Sequence, residues 1–386
     1  MNCSDNFPLV KLIQLFNQKI FPDDAFRIDK VFNGKRLIVY GAGESFHYLK
    51  EIVIRRYGYI PVQILDRKFK KGDRYEGIPA CSPEDYIPSE DDKKNAIVIL
   101  CLGKQKYLED VVQFLSKAGF CNIIRLMDIY EIHNPFDLPG ELQADGFLYF
   151  LRHKKQILEA MNLFKDDLSR EVFECCMQTH MTRKPVLIHT SPRNEQYTPK
   201  GVRLSKGYSR FIYCGVSAGE MDRVMGDIGP VDELVCFEPD PNQFAVTAEY
   251  LTNNHLKVAR RVTAIPCAVY SHESVEAFTY SDTSFGSRIL ASGQHRVQCI
   301  SIDHVLPGFR PTFISMDIEG AELDALKGAE NTIRESLPDL AICLYHSPSH
   351  LWEIPIFIKS LGPDYKFHLR NYTSFASETV LYASLE

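Results

Sequence analysis

Short β-rich apolar runs separated by helical stretches recur along this chain in two series, and that alternation restricts it to parallel sheets joined by crossover helices. In the first series the strands are RLIVY, YIPVQIL, NAIVILCL and NIIRLM, between Arg36 and Met127. Between them Glu44 to Tyr57 and Gln105 to Ala118 read as helices, the latter closed by Gly119 where a helix end favours glycine. The second series is RFIYCG, ELVCFEP, VTAIPCAV, TFISMDI, LAICLYH, YKFHLRNY and ETVLYASL. A β-rich insert, VEAFTYSD through HRVQCISI, lies between its third and fourth members.

Local punctuation divides the chain. Pro8 to Phe21 carries Leu9, Leu12, Ile13, Phe16 and Ile20 at helical spacing with proline in the first turn, and Asn33-Gly34 marks a turn. NPFDLPGEL (134–142) reads as a linker, Phe147 to Thr182 as largely helical, and TSPRNEQYTPKG (190–201) as irregular. The expected divisions are an N-terminal helical segment over 1–33, a small Rossmann-like domain over 34–133, a linker and helical segment over 134–206, and a second α/β domain over 207–386. The fold class is α/β: two doubly wound Rossmann-like units, unequal in size and without a sequence repeat between them.

Composition narrows the function classes. The 386 residues are 45% hydrophobic and 24% charged, an ordinary globular balance able to build a sizeable core. A formal net charge of −6 offers nothing overall to nucleic acid or an anionic membrane, and the basic run Arg67 to Lys71 reads as a solvated loop. Of the 11 cysteines, Cys101, Cys214, Cys236, Cys267, Cys299 and Cys343 fall inside apolar runs, where free cysteine acts as a small hydrophobe. With no C-x-x-C pair, a reduced, cytoplasmic protein is expected. Pro8, Lys11 and Lys19 interrupt what a signal peptide would need as its apolar core, and no run approaches the ~18 apolar residues of a membrane span.

Ligands of doubly wound sheets bind beyond the carboxyl ends of the strands, where the strand order reverses. In the second series, Arg210 to Cys214 runs into Gly215-Val-Ser-Ala-Gly219-Glu220, a loop whose glycines and Ser217 suit close approach by a ligand. Glycines at a strand end can equally be plain turns. The next strand ends in Glu238, 19 residues beyond Gly219. An acid near that spacing is placed to accept from both hydroxyls of a ribose, since one carboxylate has lone pairs for two donors. Pro239-Asp240-Pro241 then opens a helix with Asp240 as its cap. The loop lacks the G-x-G-x-x-G pattern that brings amides onto a pyrophosphate, which leaves room for S-adenosylmethionine, a nucleoside cofactor without phosphate.

The stretch FISMDIEGAELDALKGAENTI (313–333) resembles the signature strand and helix of the FkbM family of methyltransferases. So does the wider pattern of FIYCGVSAGE, CFEPDP, CISIDHVL, LAICLYHSPSHLWEIP and ETVLYA, which extends over the chain from QYTPKG to the end. The resemblance implies a seven-stranded sheet with an antiparallel last strand. It also implies S-adenosylmethionine as cofactor and O-methylation of a hydroxyl, often on a sugar or natural product, as in carbohydrate biosynthesis. Carried over, Gly215 and Gly219 match the cofactor loop, Glu238 the ribose acid, and Asp317 and Glu319 the acidic pair ending strand four. One departure stands out: the family commonly has Asp two residues before the first glycine, where this chain has Tyr213.

Methyl transfer to a hydroxyl needs an in-line geometry and a group to take the proton. The candidates are Asp317, Glu319 and His346, with Asp317 also against the cofactor. Asp317 and Glu319 project to opposite faces if both stay on the strand, and Glu319 could instead serve as the N-terminal acid of the following helix. Glu353 is a candidate to orient His346, and Asp303 a helix cap. The spacing of these residues defines no metal motif, so no metal is expected. The expected partner is a small-molecule or saccharide acceptor, with Gln196, Tyr197 and the loop Ser281 to Arg288 as candidate pocket walls and a homo-oligomer left open. Two rival readings remain. Tyr213 could mark an impaired, methyltransferase-like binding module. Alternatively Gly41-Ala-Gly43 and Asp66, 23 residues on, could make the first unit a nucleotide-binding oxidoreductase or sugar-nucleotide protein, with Phe46 at the third glycine position narrowing the approach.

Overall fold

The computed structural model describes residues 7–17, 32–102, 108–126, 147–182, 186–280, 287–291, 293–373 and 376–386. The linker expected at 134–142, and most of the loop expected to wall a pocket at 281–288, lie outside them. The chain divides into two compact units, the larger comprising 1–19, 144–178 and 186–386, the smaller 20–143 and 179–185.

The smaller unit is a six-stranded sheet of β1 (Leu37–Tyr40), β2 (Gln63–Leu65), β3 (Asp73–Tyr75), β4 (Ile78–Cys81), β5 (Ile97–Leu100) and β6 (Asn122–Arg125), in the order β3-β4-β2-β1-β5-β6. All pairs are parallel except the β3–β4 hairpin. Because side chains alternate, Leu37, Val39, Ile97 and Ile99 enter one core while Ile38, Tyr40, Val98 and Leu100 enter another on the opposite face. The helix expected over Glu44 to Tyr57 is α-helical only for Glu44–Leu49 and continues as a wider π-helix over Lys50–Arg56.

The larger unit opens with the helix Phe7–Asn17. The stretch expected to be largely helical from Phe147 is three helices, Phe147–Arg152, Lys154–Leu163 and Asp167–Thr182. Asp166, between the last two, accepts from Arg370 Nη2 at 2.8 Å and lies 2.6 Å from His368 Nδ1, which ties this helical layer to the C-terminal hairpin.

Its main sheet takes β7 (Arg210–Cys214), β8 (Val231–Phe237) and β9 (Ala259–Ile265) from the first part of the series. The insert forms a separate four-stranded sheet of β10 (Ala268–Val269), β11 (Ser274–Thr279), β12 (Arg288–Ile289) and β13 (His295–Ile300). The main sheet is completed by β14 (Phe313–Met316), β15 (Asp339–Cys343), β16 (Lys366–Asn371) and β17 (Thr379–Ser384), in the order β16-β17-β15-β14-β7-β8-β9. β15, β14, β7, β8 and β9 are parallel, and the last strand, β17, is antiparallel to both its neighbours, as expected. The run VTAIPCAV is thus split: its first part ends β9 and its last residues begin the insert sheet.

β7 is the switch point, with β8 on one side and β14 on the other. Its inward residues are aromatic: Phe211 and Tyr213 stack at 5.1 Å with planes 7° apart, both fully buried. Among the described residues every cysteine is free, and no helix is long and apolar enough to cross a membrane.

Candidate functional site

At the carboxyl end of β7 the chain must turn under the neighbouring strand. Gly215 does so with φ of +80°, and a Cβ there would lie 1.8 Å from the carbonyl oxygen of Asp317, so only glycine fits. Ser217 then caps the helix Ala218–Ile228, its Oγ accepting from the Glu220 N–H at 3.3 Å. Gly219 is different: it sits in the first turn of that helix with open space beside its Cα. The sharp bend belongs to Gly215 alone.

Above this turn is a cavity of ≈ 370 Å³, a size suited to a small ligand. Gly215, Ser217, Gly219 and Glu238, the expected cofactor residues, all line it, and so do Asp317 and Glu319. Cys267, Ala268, Val269, Phe278 and Ile289 of the insert region close its apolar side.

Glu238 follows β8 directly. Its Oε1 accepts from the Asp240 N–H at 2.8 Å, while Asp240 caps the helix Pro241–Val258 by accepting from the N–H groups of Asn242 and Gln243. Burial pushes the Glu238 carboxyl up to about 7, with the charges of Asp240 and Glu319 adding to the effect and the Asp240 and Val216 amides opposing it.

β14 ends at Met316, so neither Asp317 nor Glu319 is on the strand and the expected projection to opposite faces does not occur. The backbone turns through Glu319 at φ +56° and Gly320 at φ +104°, a left-handed pair that reverses the chain within the site. Both carboxylates reach the same imidazole edge: His346 Nε2 lies 3.3 Å from Asp317 Oδ1 and 3.4 Å from Glu319 Oε2. Glu322 takes the helix-starting role considered for Glu319, accepting from the N–H groups of Ile318 at 3.0 Å and Gly320 at 3.4 Å.

Glu322 also partners His346, with Oε1 2.7 Å from Nδ1, and its Oε2 lies 3.3 Å from His350 Nδ1. Glu353, considered for that task, instead accepts from Ser349 Oγ at 2.7 Å. Burial alone would lower the His346 pKa, but Glu322, Glu319 and Asp317 raise it to about 10, so the ring is charged at neutral pH. Burial likewise opposes ionisation of Glu322, yet His346 and His350 hold it well below the usual carboxylate range. Asp317 is pushed up by burial and by Glu319, against the pull of His346. Its Oδ2 accepts from Tyr197 Oη at 2.8 Å and its Oδ1 from Tyr345 Oη at 3.0 Å.

Four further residues of the site were not singled out by sequence reasoning. Tyr345 and Glu378 line the cavity, with Glu378 accepting from Gln196 Nε2 at 2.8 Å. Glu322 lies behind it. Glu220 lines it too, and its Oε2 accepts from Tyr213 Oη at 2.7 Å. Tyr213 therefore keeps its ring in the core and does not enter the cavity. Asp303 is a cap, but of the helix Glu330–Ser336, whose Asn331 and Thr332 N–H groups it accepts.

In the smaller unit the Gly41 turn has φ of +100°, and Asp66 folds back on it, Oδ2 accepting from the Ala42 N–H at 2.8 Å. Phe46 is buried in the core there, not at a ligand surface.

The chain is similar over its whole length to a crystal structure of the methyltransferase FkbM from Methylobacillus flagellatus KT. The identity is 20% and the TM-score 0.74, covering 98% of this chain and 100% of that one, so the two share a fold. A fibrillarin from Aeropyrum pernix, solved with natively bound S-adenosyl-L-methionine, is 13% identical with a TM-score of 0.31, over 49% of this chain and 72% of that one, a likeness too slight to bear on either fold or site. No curated protein matches the chain. The family model of the methyltransferase FkbM domain matches residues 214–372, which span the Gly215 turn, Glu238, the Asp317–Glu322 loop and His346. The larger unit of this chain thus carries an FkbM methyltransferase domain.

Proposed function

We propose that the larger unit binds S-adenosylmethionine in this cavity and transfers its methyl group to a hydroxyl of a sugar, or of another small-molecule or polysaccharide precursor, in cytoplasmic carbohydrate biosynthesis. The observation that carries the reading is the position of Glu238. Its carboxylate ends the strand next to the switch point, beside the Gly215–Ser217 turn and in the same cavity as Asp317 and Glu319. A nucleoside fits there: Glu238 accepts the ribose hydroxyls, the Gly215 bend clears the space, and Gly219, lacking a side chain, lets the loop approach. The acidic far end of the cavity suits a cationic tail.

When bound, the cofactor supplies the electrophilic methyl group. The chain's task is to hold an acceptor oxygen in line with that methyl and to take the hydroxyl proton. Asp317 and Glu319 face the cavity and are the groups within reach. Tyr197 and Tyr345 fix the Asp317 carboxylate, and Asp317 also bounds the cofactor's end of the cavity. His346 stands behind them as a charged donor rather than a proton acceptor. It keeps two adjacent carboxylates in place that would otherwise repel.

Titration calorimetry with S-adenosylmethionine tests the cofactor, and transfer of a labelled methyl group to capsular or lipopolysaccharide sugars tests the acceptor class. Glu238→Ala is expected to weaken cofactor binding by ~10-fold or more, the effect of removing a charged hydrogen-bond acceptor. Unaltered affinity in that variant removes the ribose role.

A further inference from the structure

We infer that Glu220 is the carboxylate that receives the ammonium of the cofactor's amino-acid end, and that Tyr213 is the residue that positions it. The inference rests on the S-adenosylmethionine reading above and adds to it a residue that the glycine spacing does not single out.

The cavity has two ends. Glu238 belongs to the β8 side of the Gly215 turn. Besides Glu238, four carboxylates line the cavity, Asp317, Glu319, Glu378 and Glu220, and Glu220 lies within the field of Asp317 and Glu378. A nucleoside whose ribose lies on Glu238 extends its tail across the turn toward this group. The tail of S-adenosylmethionine carries a sulfonium and, beside its carboxylate, an ammonium, and it would meet a wall of acids held by neutral and cationic partners. Asp317 accepts from two tyrosine hydroxyls and lies beside His346, and Glu378 accepts from the Gln196 amide.

Glu220 is held differently. Its side chain is fixed between Tyr213 Oη, 2.7 Å from Oε2, and Arg223 Nη2, 3.3 Å from Oε1. Arg223 is itself tied down, donating to the backbone oxygens of Gln196 at 2.8 Å and Asn194 at 3.2 Å. Tyr213 cannot drift, because its ring is stacked on Phe211 and packed edge-on to Tyr197 at 6.0 Å. The tyrosine hydroxyl thereby holds Glu220, the acid on the first turn of the next helix, at the cavity wall.

The test compares two ligands by calorimetry: S-adenosylhomocysteine, which has the amino-acid end, and 5′-methylthioadenosine, the nucleoside without it. Glu220→Gln is expected to bind S-adenosylhomocysteine ~10–100-fold more weakly and methylthioadenosine as wild type does. Tyr213→Phe keeps the core ring, removes only the hydroxyl, and is expected to lose affinity for S-adenosylhomocysteine alone, by ~3–10-fold. Retained methylthioadenosine binding shows that each variant is folded, and a merely structural role would not discriminate between the ligands. Unchanged S-adenosylhomocysteine affinity in Glu220→Gln, or equal loss of both ligands in both variants, overturns the inference. A wild-type chain that binds neither compound overturns the cofactor reading along with it.

Discussion

Glu238 and Glu220 are both buried acids whose carboxyls are pushed up to about 7, in each case first by burial and then by neighbouring carboxylates. The sign of the consequence differs with and without ligand. In the free chain both groups hold a proton between their ordinary value, 4.5, and about 7, where an unfolded chain would have released it. Folded-state stability from these groups is therefore fully present below the lower value and lost as pH rises to the upper one. Binding runs the other way, since ribose hydroxyls and an ammonium are best met by ionised carboxylates. Chemical denaturation of the free chain between pH 5 and pH 8 is expected to show this contribution declining, while calorimetry shows S-adenosylmethionine affinity rising by ~10-fold from pH 6 to pH 8. At this scale the sequence was partly legible. Glu238 is found by its spacing from a glycine, which follows from the geometry of one βαβ unit. Glu220 was passed over because an acid in a first helical turn usually serves the helix. The signal that could have found it was Tyr213, a polar-tipped residue in the apolar part of its strand.

The turn after β7 separates two glycines that look equivalent on paper. Gly215→Ala places a methyl against the Asp317 carbonyl in a left-handed backbone and is expected to destabilise the larger unit by ~2 kcal/mol or more in a denaturant melt. Gly219→Ala meets nothing in the free chain and improves a helical turn, so stability is expected to be unchanged or up to ~1 kcal/mol higher. Reduced cofactor affinity in Gly219→Ala, without loss of stability, would then report close approach of the ligand to the loop. Most strands were legible because each is a short apolar run bounded by turns. Element ends were less so. β9 and β10 lie in one continuous apolar run, and nothing local says that the chain changes sheets between Ile265 and Ala268. Asp317 and Glu319 were given a strand's alternation because the run TFISMDI contains the first and leads directly into the second. The strand ends at Met316, and the left-handed Glu319 and Gly320 redirect both carboxylates to His346.

Across the molecule, both units place a glycine turn after their first strand and an acid after their second, and in the larger one a cavity lies above the turn. In the smaller unit Asp66 already accepts the Ala42 N–H and Phe46 fills the third glycine position, so its loop is engaged with itself. Saturation with S-adenosylmethionine at ~100 times its dissociation constant should stabilise the larger unit by ~2.7 kcal/mol. Hydrogen exchange is expected to slow at Gly215–Glu220 and around Glu238, with no change at Gly41–Phe46. NAD is expected to slow exchange at neither turn, and protection of the Gly41 turn by NAD would revive the oxidoreductase reading.

By itself, then, the sequence determined the alternation of strands and helices, the two α/β units, the Gly215 turn and the place of Glu238 at the end of the next strand, because each depends on periodicity or on spacing within a few elements. Which carboxylates share a cavity was decided only by the tertiary structure. Glu220, Glu238, Asp317 and Glu378 come from separate crossings of one sheet, and Tyr197, Tyr345 and Gln196, which bond Asp317 and Glu378, come from segments distant in sequence. Their charge state follows from burial and mutual distance, which strand order sets and which no local pattern contains.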